Sequence, residues 1–363
     1  MTQVSVIIPT RNRPQLLRQT LRSVFDQRWS SVEPIVVDEA SGADTAAMLD
    51  EVSDRVRTIR HNSPKGPSAA RNAGIDASSG AYVLFLDDDD LLHPTHIEEL
   101  VQASENLPPK HLAASGWRRF QVSGEGVDLG PVVRPPEHWE SPEAINAMFG
   151  HDPGCLVWGP SVLWPRALVS EIWWDEELFT NGDIDFYARV LESGCTFRGT
   201  KAGMAYYRSH EGVSVSGKSA SDTQSERSIV SGAKCRLKHS QRLREHPECD
   251  VFAPAIREAL MRILIKVETR GGLDELRERL RKEYEEWGGG SYYLPQPPQH
   301  WLKRGILRTA LRVRGPSAVG TILRAYRMIT SSEEVDHRAL APQSLSYGYD
   351  QLMQALHSAS AES

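Results

Sequence analysis

The stretch YVLFLDDDDLLHP, residues 82–94, decides how this chain is read. In it an apolar run of strand character delivers four consecutive carboxylates, Asp87, Asp88, Asp89 and Asp90, to a strand end. Adjacent aspartates on a short turn raise one another's pKa unless a cation or a hydrogen-bond donor compensates them. A divalent cation does so. An oxygen-only ligand set suits Mg²⁺ or Mn²⁺, which usually complete their shells with water and substrate phosphate. The pattern therefore points to a metal site that takes a nucleoside diphosphate derivative. The same residues are compatible with a solvated acidic turn ahead of a helix that starts near Pro94, and the rest of the chain has to discriminate between the two.

Working outward, the turn is embedded in alternating strands and helices. VSVIIPTRNR begins with a β-branched run over residues 4–8 closed by Pro9, the mark of a buried parallel strand, and continues into a loop with Thr10, Arg11, Asn12 and Arg13. Leu16, Leu17, Leu21, Val24 and Phe25 then recur at helical spacing, and PIVVDEASGADT supplies a second strand ending in Asp38 and Glu39. A helix over residues 43–53, a strand around 56–59 and the segment GPSAARNAGIDASSG extend the alternation to the acidic stretch. The expected fold is α/β, a mostly parallel sheet flanked by helices. Ligands of such sheets bind beyond the carboxyl ends of the strands, where the three polar clusters at 10–13, 38–39 and 87–90 all fall. No GxGxxG follows the first strand, which disfavours a dinucleotide.

Four segments in order, IIPTRNR, VVDEAS, GPSAARNAG and LDDDD, make the N-terminal part similar to family 2 glycosyltransferases of the Rossmann-like GT-A fold, with the acidic run in the place of that family's DXD motif. The resemblance implies a metal-dependent, inverting transferase using Mn²⁺ or Mg²⁺ and a nucleotide sugar, a UDP-sugar ahead of a dTDP-sugar. It implies that Pro9, Thr10, Arg11 and Asn12 line the nucleoside pocket and that Asp38 or Glu39 accepts the base N–H; two aspartates are common there, so Glu39 is a departure. Lys65 and Arg71 would reach the nucleotide, Asp87 or Asp88 the ribose, and Asp89 the metal. An isolated Arg71 would equally serve as a structural partner of the acidic turn.

Further along, HLAASGWRRFQVS and VDLGPVV read as strands, and the acceptor side of the family's fold is typically built here. Trp158, Trp164, Trp173 and Trp174 are candidates for stacking on a sugar or for the core. TNGDIDFYARV places Asp183 and Asp185 at the start of a helix, where a lone Asp would act as a cap. By resemblance Asp183 matches the general base, while Gly182 stands where the family usually has Glu. GMAYYRSHEGVSVS resembles a Tyr-Arg-x-His segment in which Arg208 would neutralise phosphate and His210 would complete the metal shell. The glycines and serines that follow, over residues 209–225, suit a flexible lid.

The composition sets bounds. With 363 residues, 40% hydrophobic, 25% charged and a net charge of −6, the chain reads as an ordinary globular protein of about two domains, and nucleic acid is not an expected partner. The four cysteines show no metal or disulfide spacing, no apolar segment reaches ~20 residues, and the expectation is a cytoplasmic protein. The expected domains are 1–224 catalytic, 225–330 helical and 331–363 an acidic tail. Within the helical part, residues 301–330 carry Lys303, Arg304, Arg308, Arg312, Arg314, Arg324 and Arg327 without an acid. That suits peripheral membrane contact, an acidic acceptor, or docking on the acidic domain or a sister subunit of a homo-oligomer. Two other classes share the acidic motif: a non-catalytic nucleotide-sugar-binding scaffold, and a nucleotidyltransferase, for which PTRNR lacks the glycine-rich loop.

Overall fold

The computed structural model describes residues 1–123, 126–139, 141–150, 157–209, 222–289 and 352. The β-branched opening run forms β1 (Val4–Thr10), in which Val4, Val6, Ile7 and Ile8 are fully buried. It lies at the heart of a five-stranded sheet, flanked on one side by β2 (Val32–Asp38) and β3 (Arg57–Arg60), and on the other by β4 (Tyr82–Phe85) and β8 (Trp164–Pro165). The first four are parallel and β8 runs antiparallel to β4. The mostly parallel α/β arrangement expected from the sequence is present. The strand expected around 56–59 lies one residue later, as an edge strand with a largely exposed pattern, where burial does little to define its start.

Register explains why the polar clusters meet. Thr10 pairs with Asp38, and Ile7 pairs with Phe85, so the ends of β1 and β2 are level and the chain leaves β4 straight into residues 87–90 beside them. The crossovers are α1 (Pro14–Phe25), α2 (Ala43–Asp50) and α3 (Pro67–Ala77). Prolines at the first turns of α1 and α3 suit positions whose N–H has no helical partner. The expected helix over 43–53 ends at Asp50, and residues 51–55 continue as turns.

Gly74 in α3 costs helix propensity, and packing explains it: a Cβ there would sit 2.3 Å from Ile7 Cγ2. Gly74→Ala is expected to lose about 1–3 kcal/mol of stability through overpacking against β1, read by urea denaturation.

After the acidic turn the chain enters β5 (Leu91–Leu92), in a second sheet of order β5-β9-β6-β7, with β6 (His111–Ser123), β7 (Gly126–Val133) and β9 (Thr196–Arg208). Here β6 and β9 are parallel, and the outer pairs antiparallel. The acidic turn is thus the crossing between the two sheets. Helix α4 (His96–Glu105) packs on β6 and β9.

The remaining helices among the described residues are α5 (Ser141–Gly150), α6 (Arg166–Ile172), α7 (Gly182–Glu192), α8 (Asp222–Arg244), α9 (Cys249–Arg270) and α10 (Asp274–Glu286). One hydrophobic cluster joins Phe85 of β4 and Phe186 of α7 to Leu237, Leu260, Leu264 and Leu280 of the C-terminal helices. Among the described residues, no helix is long and apolar enough to cross a membrane. The basic segment 301–330, the residues expected as a lid from 210 to 221, and the tail apart from Leu352 lie outside the described residues.

Candidate nucleotide and transfer site

The acidic turn is held by three arginines. Arg13 Nη1 donates to Asp88 Oδ1 at 3.1 Å and to Asp89 Oδ2 at 2.9 Å, and Arg71 Nη2 donates to Asp87 Oδ1 at 2.7 Å. The buried Arg208 also holds the turn: its Nε donates to the Asp89 carbonyl at 2.7 Å, its backbone N–H to Asp90 Oδ1 at 2.8 Å, and its Nη2 to Gln19 Oε1 at 2.9 Å. Thr10 Oγ1 donates to Asp88 Oδ2 at 2.7 Å. Arg13 and Gln19 were not among the sequence candidates. Arg13 lay in the quoted loop, but only the fold aims it across 75 residues.

The repulsion anticipated for consecutive aspartates is present. Burial first, and then the Asp89 charge, raises Asp88 to about 6; burial, Asp89 and Asp87 push Asp90 well above the carboxylate range. Desolvation also raises Asp87, with Arg71 opposing it and Asp89 and Asp183 adding to the rise. Because that side chain is 43% exposed, solvent screens much of this effect. The Asp183 contribution shows that the base candidate on α7 lies within electrostatic reach of the acidic turn.

At the end of β2 both carboxylates are engaged. Asp38 Oδ1 accepts the Ser41 amide at 2.9 Å and Oδ2 pairs with Arg60 Nη1 at 3.0 Å. Glu39 Oε2 accepts the amides of Lys65 and Gly66 at 2.7 and 2.6 Å, and its Oε1 meets His61 Nδ1. Glu39 thereby anchors the loop that leads into α3, and the Lys65 side chain is exposed on it. Asn12, at φ 54°, bridges the first two clusters: its N–H donates to Ser41 Oγ at 2.9 Å and its Oδ1 accepts Gly42 N–H at 2.8 Å. Pro9 is the penultimate residue of β1, and Arg11 is exposed beyond it.

Asp183 is exposed in the first turn of α7, whereas Asp185 is fully buried. Asp185 Oδ2 accepts Arg189 Nη2 at 2.6 Å, and its Oδ1 pairs with Lys238 Nζ at 2.8 Å and His239 Nε2 at 2.9 Å. The segment before α7 is fastened to α8 as well. Thr180 N–H donates to Ser231 Oγ at 2.9 Å, Ser231 Oγ donates to the Thr180 carbonyl at 2.6 Å, and Arg236 Nη1 donates to Asn181 Oδ1 at 2.8 Å. Burial pushes the neighbouring Cys235 thiol up to about 12, which makes it an inert packing group.

The Gly182 departure has a steric correlate, since a Cβ there would lie 3.0 Å from Ser68 Oγ of α3 and 3.6 Å from the Trp174 ring. Trp174 is core: it stacks on Phe186 at 4.6 Å and 2°, carries the Arg71 guanidinium 4.4 Å from its ring centroid, and is clasped by Asn72 through both backbone polar groups. Trp164 is core too; Trp173 is 37% exposed and Trp158 half-buried.

Among the described residues, no three His, Cys, Asp or Glu side chains gather closely enough to form a metal cage. His210 lies outside them. The donor set nevertheless fits Mg²⁺ or Mn²⁺, which bind through one or two carboxylates plus substrate phosphate. Asp89 remains 17% exposed, and Asp90 Oδ2 is buried without a hydrogen-bond partner.

The family model described as "Glycosyl transferase family 2" matches residues 5–145. The chain is 28% identical over 218 residues to an Escherichia coli protein named UDP-Glc:alpha-D-GlcNAc-diphosphoundecaprenol beta-1,3-glucosyltransferase WfaP, covering 58% of this chain and 79% of that one. It is 27% identical over 209 residues to the putative teichuronic acid biosynthesis glycosyltransferase TuaG of Bacillus subtilis, covering 56% and 78%. In fold it is similar to the mannosyltransferase PcManGT from Pyrobaculum calidifontis, solved in complex with GDP-Man and Mn²⁺. That likeness has a TM-score of 0.50 at 14% identity and covers 92% of this chain and 88% of the other.

Proposed function

We propose, for a chain that belongs to glycosyl transferase family 2 and is a glycosyltransferase, that it moves a sugar from a UDP-sugar to a hydroxyl of a saccharide acceptor with inversion, and that it depends on Mn²⁺ or Mg²⁺. The observation that supports this reading is the convergence of the acidic turn with the loop after β1 and the end of β2 at the carboxyl edge of the parallel sheet, with the exposed Asp183 of α7 close enough for its charge to act on Asp87. The UDP in the printed name of the E. coli relative supports the choice of nucleotide, and its diphosphoundecaprenol-linked acceptor supports a lipid-linked glycan as the acceptor class.

In the proposed reaction Asp183 takes the proton of the acceptor hydroxyl as that oxygen bonds to the anomeric carbon. The bond from that carbon to the diphosphate oxygen breaks, and UDP departs with the electron pair. Arg71 and Arg13 supply fixed positive charge beside the departing phosphates. Asp89, with His210 from outside the described residues, would hold a divalent ion, which would supply further positive charge to the leaving group. Thr10, Asn12 and the ends of β1 and β2 form the floor on which the nucleoside rests.

The test is thermal-shift and calorimetric binding of UDP, dTDP, GDP and CDP, each with Mn²⁺, Mg²⁺ or chelator. A ligand that binds only the folded chain stabilises it by about 2.7 kcal/mol at 100 times its Kd. The expected result is selective stabilisation by UDP that needs the metal. Equal stabilisation by all four nucleotides, or none by any, would remove the donor assignment.

A further inference from the structure

We infer that Trp158, Trp117 and Tyr207 form an aromatic wall that binds a pyranose ring of the acceptor and presents its hydroxyl to Asp183; the assignment of the ring to the acceptor rests on the transfer reaction proposed above.

The wall is built from two sheet strands and one turn. The parallel register of β6 and β9 sets Arg119 beside Tyr207 and Trp117 beside Ala205, so Trp117, Arg119 and Tyr207 share one face of the second sheet. The opposite face carries Phe120 and Tyr206, which are buried with Leu91 and Leu352. Trp158 closes the group from the segment before β8. Its ring centroid is 5.3 Å from that of Tyr207 and 5.8 Å from that of Trp117, at 74° and 55°. All three rings are half-buried, Trp117 and Trp158 resting on core residues such as Leu163 and Ala205, whereas Trp139, Trp164 and Trp174 are buried within the core.

The location ties the wall to the chemistry. Trp158 precedes Gly159, where a Cβ would be 3.4 Å from the Phe85 carbonyl at the end of β4 and 3.6 Å from the Tyr187 hydroxyl of α7. Tyr187 lies one helical turn after Asp183, on the same side of α7. The backbone after Trp158 therefore runs against the end of β4, two residues before the acidic turn begins, and against Tyr187 of α7. On the far side of the wall, Tyr207 stands between Tyr206, which pairs with Leu91 just after the acidic turn, and Arg208, whose backbone N–H donates to Asp90 Oδ1 at 2.8 Å, so this part of β9 borders the acidic turn.

The turn is rigid. Ser161 Oγ accepts Trp158 N–H at 3.1 Å and donates to the Trp158 carbonyl at 2.7 Å. His96, which burial lowers to about 4 and so keeps neutral, donates from Nε2 to the Pro160 carbonyl at 2.8 Å. A prearranged aromatic surface ending in polar groups suits a pyranose, whose axial C–H bonds meet the negative ring face while its hydroxyls reach the rim. At that rim the exposed Arg119 sits 5.4 Å from the Tyr207 centroid.

The test is saturation-transfer NMR on the full chain, with the methyl glycosides of glucose, galactose and N-acetylglucosamine as probes in the presence of UDP and Mn²⁺. At least one glycoside should bind the wild type, with a Kd raised about tenfold or more in Trp158→Ala and within threefold of wild type in Trp158→Phe. Tyr207→Leu, which removes a ring from another element, should show the same loss if Trp158→Ala fails to fold. UDP affinity, measured on the same samples, reports that each variant is native. Unchanged glycoside affinity in Trp158→Ala overturns the inference, as does a wild type that binds UDP but no glycoside. A wild type that binds a glycoside through these rings but no nucleotide keeps the wall and removes the donor reading instead.

Discussion

Asp183→Asn should lower turnover by about 10²–10⁴ while leaving the Kd for UDP nearly unchanged. The substitution keeps the size and polarity of the side chain, so the first turn of α7 retains its geometry. What it removes is the ability to take a proton as the acceptor oxygen attacks. Because that interaction exists only in the transition state, kcat and kcat/KM should fall by the same factor. Steady-state kinetics with calorimetry of UDP on the same preparation checks this. A variant keeping most of its rate would dismiss Asp183 as the base, and a loss of UDP binding would mean that the acidic turn had been disturbed instead.

The second large effect is on stability. Asp185→Asn should cost about 3–5 kcal/mol, because it leaves the mostly buried Arg189 without its counter-charge and removes the acceptor shared by Lys238 and His239. Asp185 is fully buried and holds Arg189, Lys238 and His239 together; His239 is itself fully buried and reaches Glu192 Oε1 at 3.1 Å. The readout is the midpoint and slope of urea denaturation at pH 7. Although burial opposes it, the hydrogen bonds from His239, Lys238 and Arg189, together with the Arg189 charge, hold the Asp185 carboxyl below the usual carboxylate range. A depressed folded-state pKa means that the unfolded chain binds the proton more readily. The contribution is then fully present above the unfolded value of about 4 and is lost as pH falls below it toward the depressed folded value. Asp185→Asn should therefore show a shallower loss of stability below about pH 4 than the wild type, and an equal slope in the two proteins would remove this network from the acid response.

These two residues also mark how far local sequence carries. They are two positions apart in GDIDF, both at a helix start, and nothing in their spacing says which is buried. Helix geometry turns them about 200° apart, and α8, arriving some 50 residues later, covers only one. The resemblance singled out Asp183; the depth of Asp185 in an ion-pair network came from packing. The tryptophans behave likewise. Four were candidates for stacking or for the core, yet Trp164 and Trp174 fill the core while Trp158 is left half-buried and Trp173 exposed, because a ring's exposure depends on which elements close over it.

What the sequence determined by itself was the framework. The β-branched run over 4–8, the apolar run into β2 and the stretch before residues 87–90 are buried on both faces, and continuous apolar character is what a parallel strand requires. Strand ends in such a sheet fall at one edge, so the convergence of residues 10–13, 38–39 and 87–90 was legible before any contact was known. Only the tertiary structure decided the partners: Arg13 and Thr10 for Asp88, Arg71 for Asp87, and Arg208 for the Asp89 carbonyl and Asp90. It also bound Glu39 to His61 and the amides of residues 65 and 66. Periodicity reports which face of an element avoids water, but charges seek whichever partner the folded chain brings within about 3 Å, and that choice spans tens of residues that no local pattern connects.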